Sequence, residues 1–239
     1  MEKGLIDISV IVCTLNEEKR IGNCLKSINA QKFSGKYEVI VADGNSEDKT
    51  VEIAKSLGAI TITEKVRRIS AERQAGAKIA KGKYLLFTDA DAIVSENWMQ
   101  ENYDFFEKNP EVAGQYGNVF FSDAKETEKK LSKIMMPLFM GLMALIGMHN
   151  PIGSNIAVKK TEFEKIKGFN TELVTCEDLD LFNRLKKVGK IKWNKKSIVE
   201  VSARRVKAWG YLHFIFFHLK NAVNFYFFNK ASKKYENIR

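Results

Sequence analysis

The first ninety residues alternate short apolar runs with amphipathic stretches. ISVIVCT (8–14) is a continuous β-branched run of the kind buried on both faces of a parallel sheet. Behind it, EEKRIGNCLKSI sets Ile21, Cys24, Leu25 and Ile28 at one-face helical spacing, so a strand is followed by a helix. YEVIVAD (37–43) repeats the apolar run, and SEDKTVEIAKSLG supplies a capping residue, an acidic first turn and a helix closed by Gly58. AITITE (59–64) predicts a third strand, ISAERQAGAKIAKG (69–82) an Ala- and Gly-rich helix able to lie close to a sheet, and KYLLFTD (83–89) a fourth strand. This alternation predicts an α/β, Rossmann-like fold with helices on both faces of a mostly parallel central sheet.

The second half is less regular. EVAGQYGNVFF (111–121) reads as a strand after an Asn-Pro turn, SDAKETEKK (122–130) as a solvated loop or helix entry, and NIAVKK (155–160) as another strand. TEFEKIKGF predicts a short helix closed by Gly168, and CEDLDLFNRLKKVG (176–189) an amphipathic helix burying Leu181, Leu185 and Val188. KIKWN and SIVEVSA follow as two short strands. IMMPLFMGLMALIGM (134–148) is uncharged, but it is shorter than the roughly 20 residues that span a bilayer and contains Pro137; a buried helix or an interfacial segment is expected. In AWGYLHFIFFHLKNAVNFYFF (208–228), Gly210, His213, Lys220, Asn221 and Asn224 gather on one helical strip, and the remaining face is almost entirely apolar and aromatic.

Composition narrows the function classes. At 239 residues and 45% hydrophobic content, one substantial core with decorations suffices. The expected division is a main domain at 1–205 and a hydrophobic aromatic helix with a basic tail at 206–239. A formal charge of +10 suits a polyanionic partner. Nucleic acid is disfavoured, because no helix-turn-helix, zinc or RNA-binding signature is present and acids stand at the strand ends. Cys13, Cys24 and Cys176 have no C-x-x-C spacing and the N-terminal residues lack an apolar leader, so a reduced, cytoplasmic location is expected.

Ligands of parallel α/β sheets bind outside the carboxyl ends of the strands. Here those ends carry Thr14-Leu15-Asn16-Glu17, Asp43-Gly44-Asn45-Ser46 and Asp89-Ala90-Asp91. Asp89 and Asp91 have no Lys or Arg in the next nine residues to neutralise them. Hard oxygen ligands of this kind suit Mg²⁺ or Mn²⁺ shared with substrate phosphates, where the cation offsets charge on a diphosphate leaving group.

VIVCTLNEEKRIGNCLKSI, YEVIVADGNSEDKTVEIAKSLGA, RQAGAKIAKGKYLLFTDADA and CEDLDLFNRLKKVG, in this order and spacing, resemble the family-2 inverting glycosyltransferases of GT-A fold over about residues 7–205. The resemblance implies transfer of a sugar from a nucleoside-diphosphate sugar (UDP- or GDP-linked) to an acceptor hydroxyl or phosphate. It places Thr14, Leu15, Glu17 and Asp43 at the base and ribose, Arg73 near the nucleotide, Asp89 by the ribose and Asp91 on the metal, with Asp89 a second metal candidate. It points to Asp178 as the base that deprotonates the acceptor, with Glu177 in reserve. Gly153, Ser154 and Asn155 would line the donor-sugar and acceptor pocket, and His149 is a weaker additional metal candidate. The Gln/Arg-x-x-Arg-Trp element of processive synthases is not matched by SARRVKAWG, so processive synthesis is not expected; Arg204 or Arg205 remains available for a diphosphate. A sugar nucleotidyltransferase would want a Gly-rich loop after the first strand, which TLNEEKR lacks.

The greasy segments ask for a surface partner. The aromatic helix beside Arg204, Arg205 and Lys207, followed by Lys230, Lys233 and Lys234, suits peripheral attachment to an anionic membrane and a lipid-linked acceptor; a homodimer would bury the same face. A non-catalytic sugar-nucleotide-binding or membrane scaffold protein with a degenerate transferase fold is the alternative function.

Overall fold

The structure, a computed structural model, describes residues 5–145, 147–228 and 230–232. Lys233 and Lys234 of the expected basic tail lie outside the described residues. Strands β1 (Ile8–Thr14), β2 (Tyr37–Asp43), β3 (Ile60–Thr63) and β4 (Tyr84–Asp89) pair in parallel, in register such that Thr14 stands beside Asp43 and Cys13 beside Asp89. Three strand ends therefore reach one edge together. Helices α1 (Ile21–Asn29) and α2 (Thr50–Ser56) cover one face, and α3 (Ile69–Ile79) covers the other. The alternation is visible within β1: Val10 and Val12 enter the first core, Ile11 and Cys13 the second.

Next along the chain come β5 (Ile93–Val94), α4 (Trp98–Lys108), β6 (Val112–Phe121), α5 (Glu126–Leu145) and a 3₁₀ turn at Gly153–Asn155. They are followed by β7 (Ile156–Lys159), α6 (Lys160–Lys165), α7 (Glu177–Leu185), β8 (Lys190–Val201), α8 (Arg204–Trp209) and α9 (Tyr211–Phe228). The sheet order is β3-β2-β1-β4-β7-β6-β8-β5, with β7 and β5 antiparallel to their neighbours and the other strands running one way.

Several expectations are revised. α4 and β5 were not read from the sequence; α4 buries Trp98, Met99, Asn102 and Phe106 against β8 and the first core. KIKWN and SIVEVSA are one strand, β8, whose register against β6 shifts between Tyr116 and Asn118. Gly117 makes that junction possible, since a Cβ there would lie 2.3 Å from the Ser197 carbonyl and from the Asn155 amide nitrogen. α2 has no side-chain cap; Asp48 accepts the Thr50 N–H at 3.0 Å, while Ser46 turns toward Asp43.

Helix α5 is not a buried helix. Met140 alone among its residues is buried, and Leu131, Ile134, Met135, Leu138, Phe139, Leu142 and Leu145 are exposed. Among the described residues no helix is long and apolar enough to cross a membrane. In α9 the buried residues are Asn221 and Phe225, while Leu212, Ile215, Phe216, Leu219, Phe227 and Phe228 face outward. Part of the polar strip of this helix is thus its inner face. The expected division at residue 205 falls within α8, and α9 packs Phe225 against Cys176 and Leu179 of the main body. All three cysteines are free and buried.

Candidate active site

The loops after β1 and β2 are knitted together. Ser46 donates to Asp43 through its N–H at 2.8 Å and its hydroxyl, and accepts the Asn16 N–H at 2.7 Å. Asn16 Oδ1 accepts the Glu47 N–H at 2.8 Å, and the Glu17 N–H donates to Thr50 Oγ1 at 2.8 Å. Asn16 and Asn45 both hold positive φ, which Asn tolerates because its short amide bonds locally. Thr14, Leu15, Glu17 and Asp43 are all buried at this edge, and Thr14 Oγ1 has no hydrogen-bond partner among the described residues.

The carboxylates after β4 have cations after all, brought from distant parts of the chain. Asp89 Oδ1 accepts from Arg73 Nη2 at 3.1 Å, and Asp91 Oδ2 lies 3.2 Å from Arg204 Nη2. Arg204 also grips Glu17 through both terminal nitrogens, at 2.9 and 2.5 Å, and Arg20 reaches Glu17 at 3.5 Å. Burial first, then the neighbouring Asp89 charge, push the Asp91 carboxyl up to about 6 despite Arg204. A cleft of about 200 Å³ opens beside Asp91, lined by Arg20, Asn23, Ser122, Asp123 and Ser202 among others. Arg20 and Asn23 were missed from sequence; a basic residue one turn past the first strand-end loop was the available signal.

Helix α7 starts with Cys176 in the left-handed region and puts Glu177, Asp178 and Asp180 in its first turn. Their surroundings separate them. Asp180 pairs with Arg184, one turn on, at 2.5 Å. Glu177 is buried and accepts from Arg73 Nη1 at 2.5 Å. Asp178 is half-buried, with Oδ1 accepting the Leu179 N–H at 2.8 Å and Oδ2 the Gly153 N–H at 3.0 Å. Burial and the adjacent Glu177 charge hold the Asp178 carboxyl well above the usual carboxylate range, against the pull of Arg73 and the two N–H donors.

Arg73 therefore joins the two acidic blocks. It is 2% exposed, and its terminal nitrogens are engaged by Asp89 and Glu177. The remaining candidates divide. Gly153 touches the site through its N–H to Asp178, and Ser154 is buried next to it. Asn155 belongs to an internal network: its Oδ1 accepts from Trp98 Nε1 (2.9 Å) and Ser197 Oγ (2.8 Å), and its Nδ2 donates to the Asn118 and Ser197 carbonyls (2.9 and 3.1 Å). Arg205 lies over the Trp209 ring at 5.9 Å. His149 faces the Tyr116 hydroxyl at 3.1 Å, and burial lowers its pKa to about 4. Among the described residues no three His, Cys, Asp or Glu side chains group as a metal site.

The donors at Asp89 and Asp91 nevertheless fit a hard cation that substrate oxygens help to coordinate. Both are carboxylate oxygens, and Asp91 is buried beside the Asp89 charge, a combination that a divalent ion would relieve.

Comparison with known proteins identifies the family and the fold. The sequence profile of "Glycosyl transferase family 2" matches residues 9–167. A dolichyl N-acetyl-α-D-glucosaminyl phosphate 3-β-D-2,3-diacetamido-2,3-dideoxy-β-D-glucuronosyltransferase of Methanococcus voltae is 25% identical over 76% of this chain and 62% of its own length. The chain spans no more than about three fifths of the first such curated relatives. Among solved structures, S. aureus TarS 1–349 in complex with UDP-GlcNAc superposes with a TM-score of 0.65 at 18% identity, covering 82% of this chain and 58% of that one. The mannosyltransferase PcManGT from Pyrobaculum calidifontis, in complex with GDP-Man and Mn²⁺, gives a TM-score of 0.62 at 19% identity over 84% of this chain and 58% of that one. With the profile covering most of the sequence and the fold shared with nucleotide-sugar complexes, this chain belongs to glycosyl transferase family 2 and has the GT-A architecture.

Proposed function

We propose that the chain is a metal-dependent inverting glycosyltransferase that uses a nucleoside-diphosphate sugar and Asp178 as its base. One observation carries the reading: Arg73 brings Asp89, of the D-x-D block, and Glu177, adjacent to Asp178, onto a single guanidinium although they lie far apart in sequence. Thr14, Leu15, Glu17 and Asp43 form the nucleotide edge. Asp91, with Asp89, would hold Mn²⁺ or Mg²⁺, which when bound offsets charge on the leaving diphosphate. Asp178 takes the acceptor proton while the acceptor oxygen bonds to the anomeric carbon from the face opposite the departing diphosphate. A carboxylate whose pKa is lifted toward neutrality is a stronger base than an ordinary one, yet still ionises at working pH. Arg204 is placed to exchange Asp91 for a diphosphate.

A panel of UDP- and GDP-sugars with Mn²⁺, read by thermal shift and donor turnover, tests the reading. Nucleotide-dependent stabilisation that is lost in Asp91→Asn supports it. No response from any donor, or an equal response from the variant, sinks it and favours a non-catalytic binding protein.

Peripheral membrane attachment and a lipid-linked acceptor form the second part of the proposal. What supports it is the outward apolar face of α9 together with that of α5. The Tyr211 hydroxyl bonds Glu128 near the start of α5, and the Tyr226 hydroxyl bonds the His149 carbonyl just past its end, so α9 is tied to both ends of α5. Phe225 packs on Leu179, one residue from Asp178, which would place the base beside the lipid-facing surface. A homodimer burying this face is the competing outcome.

A further inference from the structure

Arg73 ranks with Trp98, Tyr84 and Tyr116 among the largest fully enclosed side chains in the protein. Enclosing a cation forfeits its hydration unless carboxylates compensate it, and packing alone could be met by an apolar residue. Its Nη1 and Nη2 bind carboxylates from opposite sides of the site, Glu177 at 2.5 Å and Asp89 at 3.1 Å. Its contact with Gly153 is steric. A Cβ on Gly153 would lie 2.3 to 2.5 Å from the guanidinium, so only glycine lets the cation approach the backbone whose N–H holds Asp178.

We propose that Arg73 is a positioning residue for glycosyl transfer. It locks the metal-side Asp89 to the turn carrying Asp178, through Glu177 on one side and Gly153 on the other, and does so without touching the nucleotide. The proposal rests on Asp178 being the base.

The charged and titratable groups around Asp178 are Glu177 on α7, Cys176 at its start, Arg73 from α3 and Tyr226 from α9. Arg73 favours the ionised base and Glu177 opposes it. Removing one or the other should move the ionisation in opposite directions. A residue that merely filled space would move neither.

The test measures kcat against pH for wild type, Arg73→Met, Arg73→Lys, Glu177→Gln and Gly153→Ala, using the donor identified in the panel, with circular dichroism on each. The acid limb is expected to rise by about one pH unit or more in Arg73→Met and to fall in Glu177→Gln. Donor KM should change by less than about threefold, and Arg73→Lys should recover part of kcat. Gly153→Ala keeps every charge but displaces the guanidinium, and should lower kcat by about tenfold or more. ¹³C NMR titration of the Asp178 carboxyl carbon reads the same shifts without turnover. Unmoved limbs and an unmoved Asp178 titration, or a loss confined to KM, overturn the proposal. If Arg73→Met does not fold, the Glu177→Gln and Gly153→Ala results decide it. Asp178→Asn is run alongside: full turnover there removes the base itself, whereas an inactive Asp178→Asn with unmoved limbs removes only the role of Arg73.

Discussion

Arg204 Nη2 stands 3.2 Å from Asp91 Oδ2 while the same guanidinium holds Glu17, so a residue near the end of the main body closes over the first strand-end loop and the D-x-D pair at once. Both acids are largely enclosed, and Arg204 is held more firmly protonated by them. The cation that the sequence could not locate for Asp91 is therefore partly supplied by the protein itself.

Arg204→Ala should lower the melting temperature of the apo protein, because Glu17 and Asp91 are left without their guanidinium; the cost is about 1–3 kcal/mol. It should also gain more from millimolar Mn²⁺ than wild type does, since a competing positive charge has gone. Differential scanning fluorimetry with and without MnCl₂ reads both effects, and an identical Mn²⁺ response in the two proteins would count against Asp91 as the metal side chain.

Asp91→Asn should behave in the opposite way. A carboxyl raised to about 6 in the fold is disfavoured in its charged form there, so its contribution is most favourable below the unfolded pKa and is lost as pH rises through 6. Asn imitates the neutral form, and the apo variant should be more stable than wild type at pH 7.5 by about 1–3 kcal/mol, a few degrees in Tm. Transfer should fall by about a hundredfold or more. A less stable apo variant would contradict the charge excess at this position.

Asp178→Asn should retain donor binding and reduce transfer by about 10²–10⁴-fold. Because the base works deprotonated and its carboxyl is raised, the wild-type rate should climb with pH, its midpoint above the usual carboxylate range. That climb should be missing from whatever activity the variant keeps. A pH–rate profile unchanged by the substitution would move the role to another group.

Asn155→Ala should fail by folding, not by chemistry. Removing the amide orphans Trp98 Nε1 and the Asn118 and Ser197 carbonyls in the interior, at a cost of about 2–4 kcal/mol. Thermal melts should show the loss, and kcat/KM per folded molecule should stay within about threefold. A large drop in kcat at full stability would instead put Asn155 in the substrate pocket.

Leu212→Glu with Phe216→Glu places two charges on the outward face of α9 and should abolish flotation with vesicles containing anionic lipid, leaving the fold intact. Wild-type protein that stays in the soluble fraction, or that runs as a dimer dissociated by the same substitutions, would assign the face to a second copy.

The first four strands and three helices were legible because each satisfies its own local rule: β1 and β2 are unbroken apolar runs, and Ile21, Cys24, Leu25 and Ile28 mark one helical stripe that is in fact buried. α4 was not legible, since Trp98, Met99, Asn102 and Phe106 form only a short stripe within a polar segment, and their burial depends on β8 nearly a hundred residues away. For α5, the apolar letters left a buried helix and an interfacial segment both open, and the fold covers the helix so little that only Met140 is enclosed. Asn155 was placed in the pocket by the family resemblance; in the fold its amide is engaged by Trp98, Asn118 and Ser197.

The sequence by itself determined the strand–helix alternation, the gathering of Thr14, Glu17, Asp43, Asp89 and Asp91 at one sheet edge, and the three acids in the first turn of α7. These follow from periodicity and from the fixed direction of parallel strands. Which carboxylate is neutralised, and by what, was decided only by tertiary structure. Arg73 and Arg204 reach Asp89, Glu177, Glu17 and Asp91 across sheet and helix, and electrostatic energy depends on distance and burial in space, neither of which is encoded at any one position of the chain.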